Sequence, residues 1–165
     1  MTLLDALHRR AVLLGATALA ACSGTPQAKT PDRFSTSPWR KLSDAQWRSQ
    51  LSPAAYQVLR REGTERAGSS PLDKETRRGT YVCAGCELPL FKSDWKYDSG
   101  TGWPSFYRPM DGALGEKTDF KIGFPRTEYH CARCLGHQGH VFKDGPRPTG
   151  LRYCNNGVAL KFIPA

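Results

Sequence analysis

Over residues 80–163 the apolar and polar positions fall into short, mostly alternating runs, and a period of two predicts strands. The runs lie at 80–83, 88–91, 120–124, 127–131, 141–142, 151–154 and 158–163. Turn signals part them at Gly100, Gly102, Asp111-Gly112, Asp144-Gly145-Pro146 and Asn156-Gly157. Upstream the pattern is helical. Ser43-Asp44-Ala45-Gln46 has the form of a capping box, and Ser52-Pro53 places an N-cap and an N1 residue before a second short helix. Ala55, Tyr56 and Leu59 share one face of it, and Gly63 is placed to end it. No βαβ rhythm is present. The expected class is mainly β, antiparallel, with small N-terminal helices covering a sheet.

The first 38 residues follow neither pattern. Residues 1–21 read as a signal peptide, with His8-Arg9-Arg10 ahead of an uncharged run over 11–21 that is too short to span a bilayer. Leu19-Ala20-Ala21-Cys22 resembles the lipobox of bacterial lipoproteins, which makes Cys22 the expected lipidation site. Arg9-Arg10 resembles a twin-arginine export signal. An ordinary cleaved signal peptide with an incidental Cys22 is the alternative. Residues 22–38, rich in Ser, Thr, Pro, Gly and Lys, read as a flexible tether, and 39–165 as the folded domain. The expected location is exported, on the periplasmic side, held to a membrane through the N-terminal lipid.

Composition fits one such domain: 165 residues, 39% apolar and 24% charged. The formal charge of +9 invites a nucleic-acid reading, but no Lys/Arg block of five occurs, so a solvated basic surface and no nucleic-acid partner are expected.

Four of the six cysteines form two C-x-x-C pairs, Cys83/Cys86 and Cys131/Cys134. Brought together, two such knuckles present four sulfurs at tetrahedral corners, which suits one structural zinc and staples distant parts of a β-barrel-like domain. Two redox disulfides are the competing reading in an oxidising compartment. His130 is a further candidate ligand, although its place beside Cys131 points it the other way along a strand.

Cys154 has no partner. A lone cysteine is most often a small core residue, but His137, His140 and Asn156 keep it company, and a thiol near cationic or hydrogen-bonding groups is expected to have a lowered pKa and to be reactive. Between the knuckles Trp103 sits in a glycine-flanked loop, suited to form the aromatic wall of a pocket.

Together these residues identify a family. Glu62-Gly63-Thr64-Glu65-Arg66, the paired knuckles, SGTGWPSF over 99–106, Gly136-His137-x-Gly139-His140-Val141-Phe142, Asp144-Gly145-Pro146 and Arg152-Tyr153-Cys154-x-Asn156 closely resemble the B-type peptide-methionine sulfoxide reductases. The resemblance covers roughly residues 40 to 163. It implies that Cys154 attacks the sulfoxide sulfur, that Trp103 packs on the substrate's S-methyl group, and that His137, His140 and Asn156 form the polar side that helps protonate the oxygen. It further implies substrate binding by Phe142 and Arg152, zinc on Cys83, Cys86, Cys131 and Cys134, and the R epimer as substrate. Many members carry a resolving cysteine where this chain has Thr101, so the Cys154 sulfenic acid is expected to be reduced by a thioredoxin-like partner or a small thiol. A monomer is expected. Two readings compete: a zinc-ribbon binding module, which leaves Cys154 and the histidines idle, and a peroxide-sensing thiol protein.

Overall fold

The computed structural model describes residues 32–165, so the signal peptide, Cys22 and the start of the tether lie outside the described residues. Folded chain begins earlier than Trp39. Residues 33–36 form turns, Phe34 packs against the core and Ser37 is buried, so the last part of the expected tether belongs to the domain.

Helix α1 (Asp44–Gln50) starts in the expected capping box, with Ser43 and Gln46 satisfying each other's backbone N–H groups. Helix α2 (Pro53–Arg61) is capped by the Ser52 side chain and buries Ala55, Tyr56, Val58 and Leu59. It ends at Arg61, two residues before Gly63. Glu62 takes the left-handed turn at φ 53°, and Lys117 and Lys121 both ion-pair with its carboxylate.

Among the described residues, nine strands form two antiparallel sheets. β1 (Gly79–Cys83) lies between β2 (Pro89–Lys92) and β9 (Leu160–Pro164). The larger sheet has the order β3 (Lys96–Tyr97), β4 (Ser105–Phe106), β8 (Arg152–Asn155), β7 (His137–Phe142), β6 (Arg126–Cys131), β5 (Leu114–Asp119). The barrel-like expectation thus takes the form of two sheets around one core, with no closed ring of strands among the described residues. Aromatic rings fill the space between them: Phe91 stacks on Phe106 at 4.1 Å, and Tyr129 meets Tyr153 edge-on at 5.3 Å.

One expected strand is wrong. Residues 120–124 form the exposed loop after β5, and the strand is the more polar β5 itself. As the edge of the sheet, β5 needs no alternating apolar face, which hid it.

Candidate active site

Strand register assembles the site. Ser105 on β4, Cys154 on β8, His140 on β7 and Glu128 on β6 are successive cross-strand partners, so their side chains share one face. Arg152 and Phe142, two residues on, pair in the next row, and the Arg152 guanidinium lies 4.3 Å from the Phe142 ring centre. Gly139 permits this approach of β7 to β8, since a side chain there would meet the Cys154 carbonyl oxygen.

A cavity of about 130 Å³ opens on that face, lined by Thr64, Trp103, Arg126, His140, Phe142, Cys154 and Asn156 among others. Five of the expected site residues, Trp103, His140, Phe142, Cys154 and Asn156, thus line one cleft, with Arg152 beside Phe142 and the His137 ring 5.5 Å from that of His140. A larger open depression near Tyr107 and Thr149 holds no nucleophile.

Three loops hold the cleft in shape. Trp103 Nε1 donates to the Glu65 carbonyl at 3.2 Å, and the Glu65 N–H donates to Asn156 Oδ1 at 3.0 Å. The Glu65 carboxylate accepts the N–H groups of Gly157 and Val158. Gly102 packs against Gly68 at φ +84°, where a side chain would strike the Gly68 nitrogen. Glu65 therefore ties the aromatic wall to the turn after the nucleophile. Sequence reading singled out its motif but gave it no role.

The imidazoles are set by carboxylates the sequence reading missed. His137 Nδ1 lies 2.7 Å from Glu128 Oε1, and His140 Nε2 lies 2.7 Å from Asp119 Oδ2. His137 is almost fully buried and its Nε2 has no partner among the described residues, so it is free to bind an oxygen. Burial, opposed by Asp119, lowers the His140 pKa, favouring the neutral ring at pH 7. Burial resists ionisation of Glu128, yet His130, His137 and Lys117 outweigh it and hold its pKa near about 2. That group's stabilisation is complete above its unfolded value of 4.5 and is lost as pH falls toward 2. Glu128→Gln should therefore cost about 2 kcal/mol in urea unfolding at pH 7, with the deficit shrinking between pH 5 and 2; a deficit that grows in acid contradicts this.

The thiol departs from expectation. Burial raises the Cys154 pKa above its ordinary value, although the Arg152 charge and hydrogen bonds from Thr101, Arg152 and Ser105 pull it down. Arg152 is the nearby cation, itself held by Asp144 at 2.8 and 2.9 Å. Thr101, Ser99 and Ser105 form a chain of hydroxyls at 2.8 Å spacings beside the sulfur.

At the other end of the sheets the two knuckles meet. The sulfurs of Cys83, Cys86, Cys131 and Cys134 are all buried and lie within 4.8 Å of one another. Cys83 and Cys134 are 3.6 Å apart, Cys86 and Cys131 3.4 Å. A disulfide needs about 2.05 Å, whereas four sulfurs around a tetrahedral ion stand about 3.8 Å apart. The set fits a metal ion, and His130 takes no part, facing Glu128 instead.

A free thiol on a cleft beside an anchored imidazole, on a β fold with four cysteines placed to bind a metal ion, fits a thiol enzyme, and a family model for the SelR domain matches residues 51–164. The peptide methionine sulfoxide reductase MsrB of Leptospira interrogans is 54% identical over 121 residues, 73% of this chain and 92% of that protein. The enzyme of the same name from Agrobacterium fabrum is 53% identical over 130 residues, covering 78% and 96%. The chain belongs to the MsrB family.

Proposed function

We propose that this chain reduces methionine (R)-sulfoxide in exported proteins to methionine, with Cys154 as nucleophile. The observation that carries the reading is the row Ser105–Cys154–His140, which puts a thiol beside an anchored imidazole on a cleft walled by Trp103.

The Cys154 thiolate attacks the sulfoxide sulfur while its oxygen, held on the polar side by His137, His140 and Asn156, takes up protons. The protonated oxygen then passes from the substrate sulfur to the Cys154 sulfur as the S–O and new S–S bonds break, their electron pair staying on the substrate sulfur: methionine leaves, reduced by two electrons, and Cys154 is left as a sulfenic acid, oxidised by two. The thiol's raised pKa keeps it protonated at rest, so the same proton that leaves sulfur can serve the oxygen. Trp103 and Phe142 face the S-methyl group, and Arg152 steadies the thiolate. An apolar wall opposite a polar one sorts the two epimers of a chiral sulfur.

Thr101 offers no thiol, and the four buried cysteines are committed to the metal, so an outside dithiol or two small thiols return Cys154 to its reduced form, releasing water. Zinc is the proposed metal, a structural clip between the sheets that takes no part in the chemistry. The export reading goes with it. A tetrathiolate site is best loaded before it meets an oxidising compartment, which agrees with Arg9-Arg10 as a signal for folded cargo and with Cys22 as the lipid anchor of a monomer.

The test is methionine release from each separated sulfoxide epimer in peptide form, with dithiothreitol as reductant. Reduction of the R epimer alone is expected. Turnover of peroxide with neither epimer reduced would favour a sensor.

A further inference from the structure

The cleft admits one side chain, so the polypeptide on either side of an oxidised methionine must lie across its rim. On one side the cleft is lined by Arg126, where the loop between β5 and β6 ends. The loop's sequence, Phe120-Lys121-Ile122-Gly123-Phe124, exposes three large apolar side chains at 65%, 51% and 57% of their surface. Five large apolar residues are exposed among the described residues, and three are here.

Both stalks of the loop are built into the site. Asp119 Oδ1 accepts the Lys121 N–H at 2.8 Å, while its Oδ2 meets His140 at 2.7 Å and Arg126 at 2.6 Å. Arg126 in turn lines the cleft. Lys121 is pinned at 2.6 Å to Glu62 at the end of α2. The loop is therefore anchored at both stalks to residues of the cleft.

We propose that this loop binds apolar residues flanking the oxidised methionine. The inference rests on the reductase reading. Methionine is a core residue, so a chain that opens to oxidation offers it together with the apolar neighbours that shared its core. A loop with no acidic side chain and three bare apolar ones matches such a segment.

The test compares kcat/KM for two R-sulfoxide peptides, one flanked by Leu and Phe and one by Gly and Ser, in the wild type and in F120S/I122S/F124S. All three positions are exposed, so folding is not at risk. The wild type should prefer the apolar peptide about tenfold, and the variant's ratio should fall toward one. An unchanged ratio in the variant, or no preference in the wild type, overturns the proposal while leaving the reductase reading standing. A wild type inert on both peptides removes both.

A second inference rests on a separate observation inside the core. Gln138 and Asn155 are fully buried polar side chains. Gln138 Nε2 donates to Cys83 Sγ at 3.4 Å, and its Oε1 accepts from Asn155 Nδ2 at 3.3 Å. Asn155 follows Cys154 directly and accepts from the Tyr129 hydroxyl at 2.9 Å. The Gln138 carbonyl also accepts both the N–H and the side-chain amide of Asn156. We infer that Gln138 is a positioning residue that joins the metal site to the nucleophile's strand.

Gln138→Met keeps the volume and removes the amide. In reduced, metal-loaded protein, metal release to a chromophoric chelator should quicken about tenfold, and the rate of Cys154 alkylation by iodoacetamide should change with it. If thermal stability alone moves, or only one of the two rates, Gln138 is packing and the link fails.

Discussion

Cys154→Ser abolishes methionine formation, with kcat/KM falling on the order of 10⁴-fold or more. Serine keeps the size of the side chain and its neighbours Thr101, Ser105 and Arg152, so the fold should be unaffected. What is lost is the nucleophile. A hydroxyl ionises far above a thiol and is a much weaker nucleophile toward sulfur. Circular dichroism and metal content should match the wild type, and a variant that retains even a hundredth of the activity contradicts the assignment of the nucleophile.

Cys131→Ser is expected to act on the fold first. Cys131 ends β6 and Cys83 ends β1, so the four-sulfur site clips the small sheet to the large one. Structural zinc in small domains is worth about 10–16 kcal/mol, comparable with the entire stability of a domain at about 5–15 kcal/mol. Losing one ligand should drop metal content from one ion per chain to near zero and lower the melting temperature by more than about 10 °C. Activity goes with it, because β6 carries Glu128 and β7 carries both imidazoles. A variant with wild-type melting behaviour means that the cluster is not a structural metal site.

Local signals in the sequence were read well, and pairing signals were not. The capping box at Ser43, the cap at Ser52 and the two C-x-x-C spacings lie within a few residues, and each appears in the structure where the sequence put it. The apolar residues 120–124 looked like a strand because alternation cannot tell a buried run from an exposed loop. Glu128 and Asp119 escaped notice because their partners, His137 and His140, lie 9 and 21 residues away and meet them only through strand register. An acidic residue inside a predicted strand that also holds His130 was the available clue for Glu128. The direction of the Cys154 pKa was hidden for a related reason: burial sets it, and burial belongs to the assembled sheet.

The most direct test of the central claim is one turnover without reductant. Reduced, metal-loaded protein is mixed with an excess of R-sulfoxide peptide and dimedone, and methionine peptide and protein adducts are read by mass spectrometry. One methionine per chain, with a single dimedone adduct on Cys154, is the predicted result. Methionine formed with an intramolecular disulfide at Cys154 would contradict the outside-thiol step, and no methionine at all from folded protein would contradict the reductase itself.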